Sequence, residues 1–209
     1  MKQEHSFNID TFISREERHY CAYLYSWLLE SRKNVETLLP QGCELGKDYR
    51  LFYEYTAVRE YLYSLKKNDK KAYIKEKEQL NQQLVNFENP NPDQKNDIQK
   101  KKIDLAIQTQ LNGKTMVYLI EAKFKGSFDI DQLKLTENYG KILNDRFKEE
   151  YKLLLMGTRY HLKKKGLDKY RNRKISWETI NNEIDNPIVN IEIDKGLKFQ
   201  YEIHPKTIS

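Results

Sequence analysis

Asn112-Gly113 constrains what this chain can fold into more than any other feature. Asn-Gly is the strongest short-range signal for a two-residue hairpin, because both central positions of that turn need a left-handed backbone. On one side lies Lys102-Ile103-Asp104-Leu105-Ala106-Ile107, and on the other Val117-Tyr118-Leu119-Ile120-Glu121-Ala122-Lys123. With Leu111 facing Lys114 across the turn, every other pair follows. Ile103 meets Ala122, Leu105 meets Ile120 and Ile107 meets Tyr118, which makes one continuous apolar face. The opposite face carries Ala106/Leu119, Gln108/Val117 and Asp104/Glu121. A slip of one residue would send every side chain to the other face, so the agreement of the apolar pairs fixes the acidic pair as well.

Directly opposed side chains on such a ladder have Cβ atoms roughly 4.5–5.5 Å apart, and like charges there repel. A hard divalent cation is the natural compensation for two facing carboxylates. Lys123 lies two residues beyond Glu121 and so shares its face. Two acids and a lysine thus converge at one end of a buried strand pair.

Asp104, a hairpin, then Glu121-Ala122-Lys123 resembles the D…(D/E)xK signature of the PD-(D/E)xK nuclease superfamily, which includes restriction endonucleases, RecB-like exonucleases and junction resolvases. The resemblance covers residues 102–158, with an echo in the first helix. The proline that often precedes the first acid is replaced by Ile103. The resemblance implies an α/β (α+β) fold with a mixed sheet and a restriction-endonuclease-like core, ordered helix, β-hairpin, helix, strand. It implies Mg²⁺- or Mn²⁺-dependent hydrolysis of DNA phosphodiesters, with Asp104, Glu121 and the Ala122 carbonyl holding metal and Lys123 acting on the water or phosphate. An acid of the first core helix often joins such a site, which makes Glu17 a candidate ligand. RecB-like members carry a glutamine and a tyrosine on the following helix, commonly four apart. Gln132 and Tyr139 are the counterparts here, seven apart, Gln132 as a catalytic residue and Tyr139 as a nucleic-acid contact. Restriction, phage defence or mobile-element biology is the setting the analogy suggests.

The charge balance permits a polyanionic partner. The 209 residues carry a net charge of +6, and 33% of them are charged. Seven of the twelve residues from Lys163 to Lys174 are basic: Lys163, Lys164, Lys165, Lys169, Arg171, Arg173 and Lys174. That run follows the strand after the acidic pair, so phosphate binding competes with the plainer reading of a solvated loop. No apolar stretch approaches the length of a membrane span, and the first residues lack a signal-peptide pattern, so a cytoplasmic protein without a membrane partner is expected. Cys21 and Cys43 have no metal-ligand spacing. His19 and His161 are solitary, and neither a Gly-rich phosphate loop nor a GxSxG elbow is present.

One domain over 1–209 is expected. The periodicity predicts a first helix over 15–32, where Ile13, Tyr20, Leu24, Trp27 and Leu28 form the stripe and Ser14 with Glu17 reads as a capping box. Glu17 is therefore both a helix-cap and a site candidate. Residues 49–88 read as a helical insertion, with helices over 52–65 and 70–87 forming a hairpin that projects from the core or packs on a partner protein or second copy. The residues 89–93 then read as a loop. A helix over 131–147, a strand over 151–158, a short strand at 175–177 and a helix over 177–184 follow the β-hairpin. Two final strands, 188–193 and 197–203, are expected to pair through Asp194-Lys195-Gly196. The nuclease core also needs a strand before Asp104, for which 51–55 is the weak candidate. The competing functional reading is a nucleic-acid-binding or complex-forming module with a vestigial nuclease site. In that case the acids would have little reason to persist face to face.

Overall fold

The computed structural model describes residues 17–85, 97–124 and 127–203, and side chains within them from 18 to 84, 97 to 124 and 127 to 198. Helices α1 (Glu17–Glu30) and α2 (Arg32–Leu38) precede strand β1 (Tyr49–Tyr55) and helices α3 (Ala57–Asn68) and α4 (Lys70–Val85). A 3₁₀ turn (Ile98–Lys100) leads into β2 (Ile103–Leu111) and β3 (Lys114–Lys123), followed by α5 (Ile130–Phe147) and β4 (Glu150–Gly157). The short α6 (Arg159–Leu162), a 3₁₀ segment (Asp168–Arg173), β5 (Lys174–Ser176), α7 (Trp177–Glu183) and α8 (Pro187–Ile203) complete the order.

The five strands form one mixed sheet in the order β1-β2-β3-β4-β5. β1 and β3 run antiparallel to β2, while β4 runs parallel to β3 and β5 parallel to β4. The hairpin has the expected register from Leu111↔Lys114 through Ile107↔Tyr118 to Leu105↔Ile120, but the expected Ile103/Ala122 and Asp104/Glu121 pairs do not form, and Ile103 packs on the opposite face of the sheet from Ala122. Asn112 (φ 52°) and Gly113 (φ 77°) both take the left-handed conformation that a type I′ turn demands. Helices cover both faces. On one, Leu105, Ile107, Tyr118 and Ile120 pack with Leu24, Trp27 and Leu28 of α1, Val35 of α2 and Trp177 of α7. On the other, Ala106, Val117 and Leu119 pack with Val58 and Leu62 of α3, Leu80 and Leu84 of α4, and Leu133, Ile142 and Leu143 of α5.

Three expectations need correction, and one helix was not anticipated. The strand sought before Asp104 is β1, so the helix expected over 52–65 begins only at Ala57. Phe52 and Tyr55 fit a helical period with Val58 and Leu62 by coincidence, since the first two are strand residues. The two C-terminal strands are instead the single helix α8, whose buried residues Val189, Ile193 and Leu197 recur every four positions. Gly196 is not a turn residue there; an added Cβ would lie 2.6 Å from Tyr20 Cε1 and 2.9 Å from Phe124 Cε1, so it permits α8 to approach α1 closely. The α3–α4 hairpin does not project outward. Leu80 and Leu84 are buried, Asn138 of α5 donates its side-chain amide to the Leu84 carbonyl at 3.0 Å, and Arg146 pairs with Glu76 at 3.0 Å. Finally, α2 is a separate helix capped by Ser31, whose hydroxyl accepts from the Asn34 N–H.

Candidate active site

The β2–β3 ladder opens where the acids stand. Its last pair is Leu105↔Ile120, and beyond that point the Asp104 carboxylate takes the Ala122 backbone N–H at 2.8 Å. Asp104 is therefore held against β3 by its own side chain and does not continue the ladder as a plain cross-strand partner of Glu121. Both acids line one open cleft of about 620 Å³, together with Lys123, Gln132, Glu54, Arg18, Lys100, Lys101 and Lys102. Three elements expected to converge do so: β2 contributes Asp104, β3 contributes Glu121 and Lys123, and the first turn of α5 contributes Gln132. Asp129 caps that turn by accepting the Asp131 N–H at 2.8 Å, which fixes where Gln132 points.

Glu121 is buried at the floor. Gln132 donates its side-chain amide to Oε1, the Thr136 hydroxyl reaches Oε2 at 3.3 Å, and the Lys101 ammonium lies 3.7 Å from Oε2. Burial pushes its carboxyl up to about 7; Lys101 opposes that, the neighbouring Asp104 charge adds to it, and Lys123 and Thr136 oppose it more weakly. Glu54, at the end of β1, behaves in the opposite way. Its bond to Lys102 at 2.8 Å, with Arg18 at 3.4 Å, holds its carboxyl below the usual range.

Two carboxylates on a solvent-open cleft suit a hexacoordinate Mg²⁺, which keeps several waters and is usually bound by one or two protein carboxylates plus substrate phosphate. The raised Glu121 carboxyl fits the same role, since a buried acid beside another acid is stabilised in its charged form by a cation. Among the described residues no three His, Cys, Asp or Glu side chains cluster as a ready-made metal cage, so a cation in this cleft would draw its protein carboxylates from this pair.

Other expected residues fall elsewhere. Tyr139 has no exposed surface; it packs in the core beneath the sheet, and its hydroxyl accepts the Val58 N–H at 3.2 Å. It cannot stack on a base, and the seven-residue spacing from Gln132 carries it inward. Glu17 starts α1, and its side chain and Ser14 lie outside the described residues. His161 is buried against Thr158, whose hydroxyl caps α6, and is structural. The basic run divides. Lys163, Arg171 and Lys174 join Arg159 and Asp168 around a second, smaller cavity of about 460 Å³. Lys169 pairs with Glu137 at 3.1 Å, Lys164 bonds the Ser127 hydroxyl, and Lys165 and Arg171 are exposed while Arg173 is half-buried.

Sequence reasoning missed Glu54, Arg18, Thr136 and the Lys100-Lys101-Lys102 wall. The triple lysine just ahead of Ile103-Asp104 is a usable signal, since it leads into β2 at the same end of the sheet as the acids. No family model matches the chain, and no curated protein or solved structure matches it at a significant level.

Proposed function

We propose that this protein is a metal-dependent nuclease of the PD-(D/E)xK type, hydrolysing phosphodiester bonds in DNA. The observation that carries the reading is the convergence of Asp104, Glu121, Lys123 and Gln132 from three elements on one lysine-walled cleft. The order α1, β1-β2-β3, α5, β4 is also in keeping with a restriction-endonuclease-like core. Asp104, Glu121 and the Ala122 carbonyl would hold one or two Mg²⁺ or Mn²⁺ ions. Bound there, the metal supplies Lewis acidity toward the phosphate and a more acidic water.

The protein's own groups do the rest. Asp104 is oriented by the Ala122 N–H, and Glu121 by Gln132 and Thr136, so both carboxylates are fixed before substrate arrives. Fixed charges lose less energy to reorganisation during reaction than mobile ones. Lys123 stands on the same strand end and stabilises charge gathering on the phosphoryl oxygens. As the water oxygen bonds to phosphorus and gives up a proton to solvent, the bond to the leaving sugar oxygen breaks, and that oxygen takes up a proton from solvent. Lys100, Lys101, Lys102 and Arg18 line the cleft as contacts for the flanking phosphates, which need no sequence information to bind. The separate cavity with Arg159, Lys163, Arg171 and Lys174 is a second basic surface for phosphate contact.

The test is direct. Purified protein should cut DNA with Mg²⁺ or Mn²⁺ and stop with EDTA, and Asp104→Ala, Glu121→Ala or Lys123→Ala should each remove cleavage while binding persists. Metal-dependent cutting that survives in all three variants would refute the assignment of the site. DNA bound by the wild type but left intact under every metal would favour the binding-module reading. None of the described helices is long and apolar enough to cross a membrane.

A further inference from the structure

Lys101 is the unusual member of the cleft. Its ammonium is 3.7 Å from Glu121 Oε2, with side chains only 12% and 3% exposed. Too far for a tight hydrogen bond, it leaves the Gln132 and Thr136 bonds to Glu121 intact. Its backbone is anchored at some distance from the site. The Lys101 N–H closes the 3₁₀ turn on the Ile98 carbonyl at 3.3 Å. Ile98 is fully buried and donates its N–H to Asn81 of α4 at 2.9 Å, while Lys77 of α4 holds Asp97 at 3.1 Å. Helix α4 therefore fixes where the Lys101 stem begins, and the four-carbon stem supplies the freedom at its end.

We propose that Lys101 is a built-in counter-ion of the metal site: it neutralises Glu121 in the metal-free protein, is displaced when a divalent cation binds there, and so sets the affinity for that cation. The inference rests on the nuclease reading given above. A monovalent ammonium and a divalent ion cannot both sit against one buried carboxylate without mutual repulsion, so the metal must outcompete the lysine. Rotation of the stem suffices, since no backbone bond of Lys101 has to break. The displaced ammonium stays in a cleft already walled by Lys100 and Lys102, where a phosphate oxygen is its next partner.

Mn²⁺ titration of the full chain without DNA, followed by the electron paramagnetic resonance signal of free Mn²⁺, tests this independently of cleavage. Lys101→Met removes the competing charge but keeps the apolar stem, and should bind Mn²⁺ about tenfold more tightly, the lower end of what outer-shell substitutions change. Lys101→Arg keeps the charge and should bind Mn²⁺ as wild type does. Unchanged or weaker Mn²⁺ binding by Lys101→Met, with wild type binding normally, overturns the counter-ion role and leaves the nuclease reading standing. Wild type that binds no Mn²⁺ removes both.

Discussion

Glu121→Gln should stabilise the metal-free protein at alkaline pH and leave it unchanged in mild acid. The ordinary value for a glutamate here is 4.5, and burial raises it to about 7 in the folded protein. The sign follows from proton counting. Below 4.5 the group is protonated folded and unfolded alike, so it contributes no pH dependence. Between the two values the folded state holds the extra proton, so stability falls as pH rises. Above about 7 the full penalty is present, corresponding to about 3 kcal/mol. For a chain of this size that is about 6–12 °C in Tm.

Glutamine keeps an acceptor for Gln132 and can donate to Thr136, so the substitution is close to isosteric. Loss of the partner of Lys101 offsets part of the gain. In EDTA, melting followed by circular dichroism from pH 4 to 8.5 should show wild type and variant together at the acid end and separating steadily through neutrality, the variant melting higher. Adding Mg²⁺ at pH 8 should raise the wild-type Tm and not that of the variant. Parallel pH profiles for the two proteins, or a wild type that melts higher at pH 8, would refute the account of Glu121 as a buried acid awaiting a cation.

Two further outcomes are expected. Replacing Lys163 and Arg171 with alanine should weaken binding to unrelated DNA sequences alike and flatten the salt dependence by roughly 0.9 for each phosphate no longer neutralised; Lys169→Ala should change it less, because Lys169 already pairs with Glu137, and a fluorescence-anisotropy salt titration reads both. Gly196→Ala should lower Tm despite alanine's better helix propensity, since its Cβ would lie 2.6 Å from Tyr20 and overpacking costs about 1–3 kcal/mol. A Gly196→Ala protein that melts higher than wild type would contradict the α1–α8 packing.

What was legible in the sequence was what local chemistry determines. Asn112-Gly113 requires its turn, the turn requires the register, and the register brought Asp104, Glu121 and Lys123 to one end of the sheet. The misreadings share a physical cause, which is that apolar spacing is ambiguous over short runs. Ile188, Val189, Ile191 and Ile193 alternate loosely enough to suggest a strand. In α8, however, Ile188 and Ile191 are exposed while Val189 and Ile193 are buried, and Asp194-Lys195-Gly196 passes through the helix as ordinary turns of it. Phe52, Tyr55, Val58 and Leu62 likewise read as one helix because the chain leaves β1 and enters α3 with only Thr56 between them. Tyr139 shows the limit of carrying a role across a different spacing: its distance from Gln132 along α5 puts it in the core.

The least legible feature is also the one that builds the site. Tyr49, Leu51 and Tyr53 pack on the α1 side of the sheet, yet Tyr55 packs on the α3 side. On the neighbouring strand Leu105 packs on the α1 side and Ile103 on the other. Both strands therefore change face at the same level, at Glu54 and at Asp104. Glu54 takes the left-handed conformation (φ 51°), which for a side chain of its kind costs on the order of 1–3 kcal/mol and persists only where surrounding contacts hold it. Its carboxylate pairs there with Lys102 and Arg18. A regular sheet alternates its faces without interruption, and no rule of periodicity anticipates a reversal. With the reversal, the Asp104 side chain is released from the ladder to reach the Ala122 N–H, and the triple lysine is carried to the rim of the cleft. That both acids stand at one end of the hairpin was readable because its register is local; how they sit there, and the cleft around them, was not, because both arise from a departure from pairing shared by two strands.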